Sequence, residues 1–123
     1  MDELVPQRRM PWKWWAVALV IWTGLLVTPG DWFGAAATTK VGEIGLGKLL
    51  HVGAYALLAG SAGWLPGSPH RRTAIALGLI LHGGLTELIQ TQVPARCGCW
   101  TDVGIDSVGV LLGWLTTYCW RPV

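Results

Sequence analysis

Lys48, His51 and Tyr55 recur at i, i+3 and i+7 within an apolar stretch. In a helix that spacing puts an ammonium, an imidazole and a phenol on one stripe. Glu87 and Gln90 stand three apart at the end of a second stretch, Arg96 follows Pro94, and Asp102 and Asp106 open a third, four apart. Together they offer an anion clamp in Lys48 and Arg96, carboxylates to hold it, and an imidazole able to act as a base beside Glu87 or Asp102. No serine or cysteine has the neighbours of a nucleophile; Ser107 next to Asp106 is unmarked.

The elements that must carry these residues are apolar. The 123-residue chain is 52% hydrophobic and only 13% charged, against about 25% charged for a soluble domain. So little charge cannot coat a globule this small. A soluble enzyme, a disordered tail and a nucleic-acid-binding domain are set aside on that ground, and a net charge of +2 implies no polyanionic partner. Four stretches, near 14–28, 49–65, 73–89 and 103–120, read as helices of about 15–18 residues, at the short end for crossing a bilayer. Trp12, Trp14, Trp15, Trp32, Trp64, Trp100 and Trp120 fall near their ends, as an interfacial aromatic belt requires. The expectation is an all-α bundle of four transmembrane helices forming a single domain over 1–123.

Arg8, Arg9, Lys13, Arg71, Arg72 and Arg121 flank one side of these spans, and Lys40, Lys48 and Arg96 the other. The excess places both termini in the cytoplasm. A competing reading of the first span is a cleaved leader with Ala35-Ala36-Ala37 behind it. Three further spans in need of a partner helix, and Trp-rich flanks, argue for an anchor instead. Pro29-Gly30-Asp31 and Pro66-Gly67-Ser68-Pro69 read as turns, and Gly42, Gly45 and Gly47 as a loosened approach to the second span.

Small residues repeat on the spans. Gly53, Ala56, Gly60 and Gly63 form a stripe on the second; Ala76 and Gly83 share a face with Glu87 and Gln90 on the third; Gly109 and Gly113 continue the stripe of Asp102 and Asp106 on the fourth. Such rows let neighbouring backbones approach. If the glycine faces point inward, Lys48, His51, Tyr55, Glu87, Gln90, Arg96, Asp102 and Asp106 converge at one depth. Buried charges must pair, so Lys48 and Arg96 are expected to meet Glu87, Asp102 and Asp106.

The ordered set Lys48-Leu-Leu-His51-x-x-x-Tyr55, Glu87-x-x-Gln90-x-x-x-Pro94-x-Arg96 and Asp102-x-x-x-Asp106-x-x-Gly109-x-x-x-Gly113 resembles the VanZ-like family of small integral membrane proteins. The resemblance covers about Leu49 to Trp114. It departs at Gly47, where the family usually has an acid, and at Asp106, where it often has asparagine. It implies a four-helix protein of the bacterial cytoplasmic membrane, in a family named for a protein that raises teicoplanin resistance.

Three readings of the polar cluster stand side by side. It is a salt-bridge network fixing helix register, a site for an anionic or amphiphilic head group at the outer leaflet, or an active site acting on an envelope lipid. The head-group site is the expectation. Its contacts are Lys48 and Arg96, held by the acids, with His51, Tyr55 and Gln90 orienting the ligand. No catalytic residue, cofactor or metal is assigned. The expected partner is a membrane lipid or amphiphilic envelope molecule, and the rival from another class is an accessory subunit of a larger membrane complex. Cys97-Gly98-Cys99 is too closely spaced for the usual zinc pair. Cys119 reads as packing. His82, mid-span with Thr86 and Gln90 on its stripe, reads as a neutral residue bonded to a neighbouring backbone carbonyl or hydroxyl, with a polar track or a haem or chlorin ligand as the alternatives.

Overall fold

The computed structural model describes residues 9–27, 40–93 and 100–119, the first five of the second segment by backbone alone. They form four α-helices, α1 (Trp12–Val27), α2 (Lys40–Ser61), α3 (Arg71–Gln90) and α4 (Trp100–Cys119), with one 3-10 turn, Ala62–Trp64, after α2. No strand occurs among the described residues.

Three of these helices start and stop within three residues of the apolar stretches. The exception is α2, which begins at Lys40. Gly42, Gly45 and Gly47 do not loosen its approach. Each glycine costs a helix only about 1 kcal/mol, which propagation from the apolar half can outweigh. Past the 3-10 turn the chain bends where the Pro/Gly cluster requires it. Gly67 sits at φ +137°, a conformation that side-chain-bearing residues rarely adopt.

The helices run alternately up and down. Trp15 Nε1 donates to Leu58 O and Trp12 Nε1 to Pro66 O, so α1 and α2 are antiparallel. Arg72 lies at Thr117 and Gly83 at Asp106, so α3 and α4 are antiparallel. The closest pair is parallel: Val52 backs onto Gly109, Ala56 onto Gly113 and Gly63 onto Thr117. A Cβ on Gly109 would stand 2.6 Å from Val52 O, and one on Gly113 would collide with Ala56 O. The α2/α4 seam therefore exists because these positions have no side chain. Ala56, Gly60 and Gly63 lie on it. Gly53 does not, since a Cβ there would meet nothing within 4 Å.

Trp22, Leu26, Tyr55, Leu58, Ala59, Ala76, Leu79 and Val110 make the core. The exterior is apolar too: Val20, Leu49, Leu57, Leu81 and Leu115 are all exposed, Leu57 by 75%. Hydroxyls fold back onto their own helices, the buried Thr86 to Gly83 O and Thr117 to Trp114 O, and the exposed Thr116 to Gly113 O. Among the described residues α3 is the one helix long and apolar enough to cross a membrane by length and composition; α1 is apolar but shorter. In α2 and α4, glycines and ionisable residues dilute the apolar content.

The two ends of the bundle differ. At one, Arg71 donates to Gly63 O, Gly67 O and Ser68 O, and Arg72 to Thr117 O. The pair read from sequence as a topology signal thus also satisfies carbonyls that helix ends leave open. The other end gathers the close of α1, the first half of α2, the close of α3 and the start of α4. His51, Glu87 and Asp106 lie there.

Candidate functional site

Asp106 on α4 is the centre of the site. Its side chain is 1% exposed, and its Oδ1 accepts a hydrogen bond from His51 Nδ1 on α2 at 2.7 Å. An ionised carboxylate only accepts, so the His51 proton sits on Nδ1, and in the neutral ring Nε2 keeps its lone pair. Glu87 on α3, buried at 3% exposure, completes the cluster. One ligating atom from each of His51, Glu87 and Asp106 lies within 4.8 Å of the others. Burial places all three in a low dielectric, where charge must be matched locally.

Gly83 makes room for the centre. A Cβ there would stand 3.1 Å from Asp106 Oδ2 and 3.6 Å from the Tyr55 hydroxyl. Read from sequence as a helix-packing residue, Gly83 receives a carboxylate rather than a backbone. Asp106 Oδ2 has no hydrogen-bond partner. Trp22 walls the site from α1, in T-shaped contact with His51 at 5.5 Å and with Tyr55 at 6.1 Å between ring centroids.

Beside the cluster runs a directed hydrogen-bond chain. Thr23 has one hydroxyl proton and gives it to Leu19 O at 2.7 Å. Its oxygen must then accept from His82 Nε2, 2.8 Å away. In the neutral ring that leaves His82 Nδ1 as the acceptor for the Tyr55 hydroxyl at 2.9 Å. Three helices are joined this way, and because the chain ends on a backbone carbonyl it fixes orientation and offers no proton exit.

The residues expected at the site divide. His51, Glu87 and Asp106 are brought together. Tyr55, fully buried, adjoins them through Gly83 and Trp22. Asp102, one turn earlier on α4, is half-buried and within electrostatic reach of His51. Gln90 is buried but turns elsewhere, donating to Leu26 O at 2.8 Å and tying α3 to the end of α1. Lys48 is exposed and forms no ion pair with another described residue. Its expected meeting with the acids does not occur, because a long flexible side chain keeps its ammonium hydrated more cheaply than buried. Arg96, Cys97 and Cys99 lie outside the described residues, as do Trp32 and Trp120. Ser107 turns its hydroxyl onto Val103 O, away from any nucleophilic role.

Sequence reasoning missed α1. Trp22 stands mid-span, away from the belt positions, and Thr23 is a hydroxyl in an apolar run; each is a signal. Neither reveals which way α1 is rotated. Comparison with protein-family models, curated proteins and solved structures finds no match for the chain.

Proposed function

We propose that the chain is a VanZ-like, multi-pass protein of the bacterial cytoplasmic membrane with both termini in the cytoplasm, and that the cluster of His51, Glu87 and Asp106 engages the polar head group of an envelope amphiphile near the outer leaflet. The observation that carries this reading is the inverted distribution of polarity. Leucines and valines face outward on every helix, while Glu87, Gln90 and Asp106 are buried. Ionisable residues that face a bundle interior are expensive and mark binding or transport sites. Lys13, Arg71 and Arg72 sit at the opposite end, in keeping with a cytoplasmic face there. Trp12, Trp14 and Trp64 are exposed at that end and Trp100 at the other, as two interfacial belts require.

Native mass spectrometry of the full chain released from mild detergent tests the reading. Retention of one lipid or amphiphile, lost in His51→Ala or Glu87→Gln, is the expected result. Recovery only as a stoichiometric component of a larger assembly, with no bound lipid, would favour the accessory-subunit role.

A further inference from the structure

The geometry points to a divalent-cation site formed by His51, Glu87 and Asp106, of the nitrogen-and-oxygen donor type that Zn²⁺ takes, with a coordination position left for a ligand from outside the chain. This deepens the head-group reading and rests on it only for the identity of that outside ligand.

Three observations carry the site. The donors come from three different helices, yet one ligating atom of each lies within 4.8 Å of the other two. Two ligands bound to one zinc at about 2.0–2.2 Å stand roughly 3.3–3.5 Å apart, so the set closes by no more than about 1.5 Å, and a ring nitrogen of His51 enters it unprotonated, any proton it carries being released to solvent on binding. Second, Asp106 Oδ2 is buried without a hydrogen-bond partner beside Gly83, whereas nearly all buried polar atoms have one. Third, the donors are held from behind. Asp106 seats on Gly83, and the His51 ring packs against the Trp22 ring in a T-shaped contact. Such support is what keeps metal ligands in place.

The donor set selects among ions. An imidazole disfavours Mg²⁺ and Ca²⁺, which take oxygen ligands, and the absence of a thiolate among the three disfavours the softest ions. The two carboxylates carry charge opposite to that of a divalent ion, which suits coordination at depth. Three protein ligands and one free position is the arrangement of an open zinc site. An ion at this cluster also supplies a positive centre for a phosphate or carboxylate head group.

The test is titration of the purified full-length protein in detergent with Zn²⁺, by competition against a chromophoric chelator, and with Co²⁺ by visible absorption. One Zn²⁺ per chain is expected, with affinity falling at least about 10-fold in Glu87→Gln and in Asp106→Asn. The Co²⁺ complex of the unsubstituted chain should show ligand-field bands and no sulfur charge-transfer band, which reads the donor set even if a variant fails to fold. Affinity should be unchanged in Cys97→Ser/Cys99→Ser. No binding, unchanged affinity in both carboxylate variants, or a sulfur charge-transfer band abolished by the cysteine changes would overturn the site. Lipid retention measured on the same sample separates the two ideas. A chain that keeps its lipid but binds no Zn²⁺ overturns the cation site alone, and one that binds Zn²⁺ but keeps no lipid upholds the cation site without the head-group reading.

Discussion

The α2/α4 seam and the surroundings of α1 join helices by opposite means. Along α2/α4 the backbones touch, and register is set by missing side chains at Gly60, Gly109 and Gly113. Around α1 side chains reach across: Trp15 to Leu58 O, Thr23 to His82, and the end of α1 to Gln90. Close backbone contact gives dispersion and a fixed rotation but brings no ionisable side chain to the contact at Gly60, Gly109 and Gly113. Polar bridges leave room for donors and acceptors. The cluster lies where the two meet, since Asp106 is three residues before Gly109 on α4 and faces Gly83 on α3.

The comparison can be broken by substitution, with stability read as the midpoint of SDS-induced unfolding from mild micelles. His51→Ala leaves Asp106 buried without its partner and should cost about 3–5 kcal/mol. Gly113→Ala drives a methyl group into Ala56 O and should cost about 2–3 kcal/mol, whereas a loss under about 0.5 kcal/mol would mean that α2 and α4 do not touch there. Tyr55→Phe removes the donor to His82 Nδ1 and should cost about 1 kcal/mol, in line with hydrogen bonds between helices in apolar surroundings. Gly53→Ala, the same chemical change as at Gly113 but off the seam, should be neutral or stabilise by up to about 1 kcal/mol through helix propensity. Equal costs at Gly53 and Gly113 would erase the distinction between seam and open face.

Much of the architecture was legible because apolar runs and their punctuation are local. Gly67 and its flanking prolines marked the α2–α3 bend, and the Gly109-x-x-x-Gly113 spacing marked a backbone contact. The start of α2 was not legible, because glycine signals a break while the cooperativity of a long helix overrides it. Gly83 was misread for a related reason. A glycine that admits a backbone and one that admits a carboxylate look alike in sequence, and only Asp106 Oδ2 beside it tells them apart. Stripe positions placed His51, Glu87 and Asp106 at one depth, but charge complementarity misdirected Lys48. A lysine paired on paper is free to remain in solvent. The Tyr55–His82–Thr23 chain required the rotation of α1 about its axis, which an almost uniformly apolar helix does not encode.

A double-mutant cycle of His51→Ala and Asp106→Ala measures whether α2 and α4 meet through this buried pair. The two losses should fail to add, with a coupling of about 1–3 kcal/mol. Losses that sum to within about 0.5 kcal/mol would mean that the imidazole and the carboxylate act independently, and would contradict the cluster on which the functional reading stands.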